Sequence, residues 1–101
     1  MSIKQSFLNN NSPFGKSRSA QILYSKILES KDRKLLQKVS AIFHDNTKYF
    51  KEVSDLYSRE HFIKLIFTDT CKKVDATTWN IEVKTYFKNC LWSQARKYIN
   101  V

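Results

Sequence analysis

The sequence holds one proline and one glycine, Pro13 and Gly15, so residues 16–101 contain neither. Sandwiches and barrels use these residues at turn after turn, which argues against a compact all-β fold. Cysteine is nearly as scarce. Cys71 and Cys90 have no second Cys or His at ligand spacing, so neither a zinc site nor a disulfide framework is indicated, and two small buried thiols are expected. Long apolar runs are missing too: the longest cluster, Phe62 to Phe67, is broken by Lys64, and the first residues lack the apolar stretch of a secretory signal. No transmembrane segment is expected. Acidic residues number 9 against 18 Lys and Arg, a formal charge of +9. Finally, no nucleophile elbow, phosphate loop, glycine-rich fingerprint or paired metal ligands occur, so no catalytic residue, cofactor or metal is expected and the chain reads as a non-enzyme.

What is present suffices for one packed domain. The chain has 101 residues, 42% of them hydrophobic, with 7 Phe, 5 Tyr and 2 Trp to supply large buried areas. The basic excess is spread over the whole length. Residues 1–30 carry 4 basic and 1 acidic, 31–60 carry 7 and 5, and 61–101 carry 7 and 3. Such a balance concentrates a protein near nucleic acid or an anionic membrane, although it says nothing of fold.

Residues 1–16, with Asn9-Asn10-Asn11-Ser12-Pro13 and Gly15, read as a flexible N-terminal arm, and residues 17–101 as a helical domain. Ser17 or Ser19 is placed to cap a first helix bearing Ile22, Leu23, Ile27 and Leu28 and ending near Ser30. A second helix carries Leu35, Leu36, Val39, Ile42 and Phe43 and stops at about His44. Asp45 and Asn46 offer caps for a third, with Tyr49, Phe50, Val53, Leu56 and Tyr57 on its inner face. Ser58 opens a fourth, in which Glu60 near the start and Lys72-Lys73 near the end suit the helix dipole. Residues 62–68 are also good strand material, but no second strand is there to pair with them. The last helix follows Asp75-Ala76-Thr77-Thr78 and holds Trp79, Val83, Phe87, Cys90, Leu91 and Tyr98 on its main face. The expected fold is therefore all-α, a compact single-domain bundle of about five helices.

Two surfaces qualify as candidate nucleic-acid contacts. Lys31, Lys34 and Lys38 recur at three and four along one side of the second helix, with Arg33 close by, as a ridge able to follow phosphates. On the last helix Ile81, Thr85, Lys88, Trp92, Arg96 and Ile99 form a second stripe, and Lys88 and Arg96 flank Trp92 at i−4 and i+4. Exposed, that indole is a platform on which a base could stack; buried, it marks a helix packed on both sides. His44 and His61 fall at an expected helix end and helix start, and at the helix end a favourable dipole interaction accounts for His44.

The junction from Val53 to Phe62 also fits a helix-turn-helix, but the usual turn glycine is absent and Glu60 would repel phosphate. Leu23-Tyr24-Ser25 resembles the Leu-Tyr-Arg signature of small helical mitochondrial assembly proteins; Ser25 stands where the arginine would be, so no family role is carried over. The expected function is non-enzymatic binding, with nucleic acid, DNA or RNA, as first partner through these Lys, Arg and aromatic contacts. The alternative is a protein-interaction module, a small subunit of a larger assembly or a viral or phage-type modulator of a host protein. An anionic membrane surface comes third. The expected location is intracellular, cytoplasmic or nuclear, with mitochondrial import kept open because residues 1–26 are basic, acid-free and Ser-rich.

Overall fold

A computed structural model describes residues 12–53 and 58–99. Four helices account for most of them: α1 (Arg18–Glu29), α2 (Arg33–Glu52), α3 (Arg59–Asp75) and α4 (Ile81–Ile99). No strand occurs among the described residues, and 62–68 lie within α3. The all-α bundle expected from the sequence is thus present with one helix fewer.

Three of the four helices begin where a local polar side chain meets their free N–H groups. Ser17 Oγ accepts from the Ala20 N–H at 3.1 Å, and Asp32 Oδ1 accepts from the Leu35 N–H at 3.0 Å. Asn80 Oδ1 accepts from the Glu82 N–H at 2.7 Å at the entry to α4. Ser58 differs from expectation, since it precedes α3 without a capping bond from its side chain. Lys31 sits in the turn between α1 and α2 with φ +58°, the left-handed conformation that follows many helix C-termini and that glycine takes most readily.

The missing break is at Asp45-Asn46, where two helices are expected and α2 runs straight through. The reason is tertiary. Val39, Phe43, Asn46 and Phe50 form one continuous buried stripe across the expected boundary. The polar groups that suggested caps are instead used inside the helix: Asn46 Nδ2 donates to the Ile42 carbonyl and Thr47 Oγ1 to that of Phe43, both at 2.9 Å. Asn46 Oδ1 in turn accepts from Thr70 Oγ1 of α3 at 2.9 Å, a buried bond between the two helices. His44 therefore lies in mid-helix, exposed, not at a C-terminus as expected.

α4 is the hub and packs against each of the other three helices. Its Val83, Phe87, Cys90, Leu91 and Ala95 are buried against Leu23 and Ile27 of α1, Val39, Phe43 and Phe50 of α2, and Ile63 and Val74 of α3. Trp79, just before α4, sets its ring edge-on to Phe87 at 5.9 Å. Residues 1–11 of the expected arm lie outside the described residues. Its last part is docked: Phe14 is 2% exposed and meets Phe43 edge-to-face at 5.4 Å, while Ser12 Oγ donates to the Ala20 carbonyl at 3.2 Å.

The Asn46 and Thr70 pair makes a stability prediction. Thr70→Val leaves the buried Asn46 carbonyl oxygen without its partner, and a loss of about 1–3 kcal/mol is expected. Replacing both, Asn46→Leu with Thr70→Val, will cost less than the sum of the single changes, because no buried polar atom is then orphaned. Chemical denaturation of the four proteins of the cycle checks this; strict additivity would mean that the bond carries no coupling.

Candidate functional site

Because α2 and α3 both lean on α4, they meet each other less closely than either meets the hub, and a cleft of about 710 Å³ opens between them. Its floor is Ile42, Asn46, Ile66, Thr70 and Val74. Tyr49 and Asp45 of α2 stand on one rim, and Phe62, Leu65, Asp69 and Lys73 of α3 on the other. Tyr49, Phe62 and Leu65 are 56%, 43% and 53% exposed. The floor's polar atoms are already engaged, Asn46 with Thr70 and with its own helix, so the cleft is in effect apolar. The rim also carries charge: Lys73 Nζ pairs with Asp69 Oδ2 at 3.1 Å, and Asp45 has no ion pair among the described residues.

The cleft does not stop at Val74. Ile42 and Thr77 are shared with a second hollow lined by Lys38 and the turn from Ala76 to Trp79. Lys38, Thr78 and Trp79 are shared in turn with a third, lined by Asp32, Lys34, Leu35 and Asn80. Three hollows therefore succeed one another along α2 as a furrow of adjoining sections, apolar at the Tyr49 end and bearing Lys34 and Lys38 at the other. The Asp32 carboxylate at that end caps α2 and keeps its charge, so two lysines face one carboxylate there.

The sequence-derived candidates divide accordingly. Lys34 and Lys38 come together at the basic end of the furrow, both exposed and without ion pairs among the described residues. Lys31 is exposed but lies in the preceding turn and not on the helix, so the expected three-lysine ridge is shortened. Arg33 is exposed about 140° around α2 from Lys38, at 3.6 residues per turn. On α4, Trp92 is half-buried and rests on Phe67 of α3, ring centroids 4.9 Å apart. Lys88 donates to the Asp75 carboxylate at 2.5 Å, and Arg96 is exposed. The second stripe of α4 is thus packed in part, at Lys88 and Trp92, while Ile81, Thr85 and Arg96 stay exposed. The helix-turn-helix junction includes residues 54–57, outside the described residues.

The groove residues Tyr49, Phe62 and Leu65 were not singled out by sequence as a surface, although a signal existed. α3 carries two apolar stripes, Ile63, Phe67 and Val74 facing the core and Phe62, Leu65 and Ile66 rotated toward α2, and one core needs only the first. Among the described residues no group of three or more His, Cys, Asp or Glu could hold a metal, and no helix is long and apolar enough to cross a membrane. Burial pushes the Cys90 thiol up to about 12 and raises that of Cys71, so both stay protonated at neutral pH. Lys26 Nζ pairs with Glu82 Oε2 at 2.7 Å, tying α1 to α4. Comparison with known protein families, with curated proteins and with solved structures returns no match.

Proposed function

We propose that this chain is a non-enzymatic binding module that docks a protein partner through the groove between α2 and α3. One observation carries the reading: Tyr49, Phe62 and Leu65, three large apolar side chains from two helices, stand exposed around a single apolar cleft. Folding of the chain gains little from side chains left in water, whereas a contiguous apolar patch of this kind marks interaction surfaces. A second reading, nucleic-acid binding, is favoured by the exposure of Lys31, Arg33, Lys34 and Lys38, none of which is held in an ion pair among the described residues.

Photo-crosslinking separates them. Benzoyl-phenylalanine at position 65 is expected to yield a discrete protein adduct in the cells from which the chain comes, and the same group at position 33 is not. A probe at position 62 should give the same adduct, and adding Leu65→Glu should remove it while leaving the melting temperature nearly unchanged, since an exposed substitution usually costs under roughly 0.5 kcal/mol. Nucleic-acid adducts would favour the second reading, in which changing Lys31, Lys34 and Lys38 to Ala lowers the log-log salt slope on duplex by about three.

A further inference from the structure

Resting on the docking reading, the geometry points to a specific kind of occupant: we infer that the furrow accepts an amphipathic helix of a partner protein, its apolar stripe in the α2–α3 groove and carboxylates at one end against Lys34 and Lys38. Three features of the furrow converge on this. Its apolar section and its basic section are neighbours along α2, with a middle hollow that shares Ile42 and Thr77 with the first and Lys38 with the second. From Tyr49 to Lys34 it follows α2 for about 22 Å, the length of about 15 helical residues. A groove between two helices receives a third by taking side chains spaced at i, i+3 or i+4, and i+7, which is the pattern that the exposed rim residues can grip.

Charge selects among occupants. The chain carries a formal +9, so a second copy seated face to face would bring two strongly cationic bodies together. An acidic partner is attracted by that whole field and finds Lys34 and Lys38 exposed where the furrow ends. Along the apolar section Lys73 is paired with Asp69, and Asp45 adds a carboxylate without an ion pair among the described residues, so the attraction for an acidic group is confined to the Lys34 end.

Random peptides of about 16 residues displayed against the full chain, against Leu65→Glu and against Lys34→Glu with Lys38→Glu test the inference. Enriched peptides should combine helical apolar spacing with an acidic cluster at one end. Binding to Leu65→Glu should fall by roughly tenfold or more in a fluorescence-polarisation titration. The double lysine reversal should keep the apolar pattern and exchange the acidic end for a basic one. Groove-dependent peptides without a charged-end preference, or with a preference that the double reversal leaves unaltered, would overturn the acidic-helix inference while the docking reading stands. Peptides indifferent to Leu65→Glu, or no enrichment by a chain whose melt shows it folded, would overturn both. A sedimenting dimer dispersed by Leu65→Glu would seat a second copy in the groove and overturn the inference in its favour.

Discussion

Phe87→Ala will remove about 3–5 kcal/mol of stability and lower the melting temperature by on the order of 12–40 °C, if a folded state survives at all. Phe87 has no exposed surface and belongs to the buried face of the hub helix. On one side it receives the edge of Trp79, 5.9 Å away and nearly perpendicular at 82°. Truncation loses both the transfer free energy of the ring and the contacts of its neighbours, which cannot collapse into the gap because three helices fix the walls. The same truncation at Leu65 is expected to change stability little, since that side chain is 53% exposed. Thermal melts of the two variants compare core and groove directly; equal losses would contradict the assignment of either residue.

Phe14→Ala is expected to cost about 3 kcal/mol or more, a large effect for a residue outside every helix. Phe14 fills a niche between α1 and α2, edge-on to Phe43 at 5.4 Å and to Tyr24 at 6.4 Å. The turn that delivers it is held by Ser12, whose Oγ accepts from the Phe14 N–H and donates to the Ala20 carbonyl, both at 3.2 Å. Gly15 then adopts φ +107°, a conformation that a side chain would strain even though a Cβ there would meet nothing within 4 Å. Limited proteolysis gives a second measurement. Residues 12–16 should resist cleavage in the wild type and become cleavable in Phe14→Ala, because the anchor that orders the turn is gone. Cleavage after Phe14 or Lys16 in the intact protein at the same rate would show that the contact does not hold the segment.

Most of the helical architecture was legible in the sequence because helix formation here follows local rules. Scarcity of Gly and Pro, a hydroxyl at position 17, apolar repeats at three and four, and basic residues ending α3 each act within a few residues of one another. Where reading failed, a longer-range contact outweighed the local signal. Asp45-Asn46 looked like caps, yet Asn46 is turned inward by Thr70, 24 positions away. Tyr49, read as an inner residue, is exposed because α3 stands off from α2 at that level. Phe14, read as part of an arm, is buried by Phe43, far along the chain.

The candidate sites divide in the same way. Exposure of Lys34 and Lys38 follows from amphipathic spacing on one helix, so sequence alone determined it, along with the all-helical class and the strongly basic charge. Only the tertiary structure decided that Trp92 lies against Phe67, that Lys88 is held by Asp75, and that Phe62 and Leu65 share a groove with Tyr49. Periodicity tells which side chains of a helix lie on one face but not what that face meets. On α3 and α4 more than one face is apolar, and the choice of which to bury was made by the packing of three helices around a fourth.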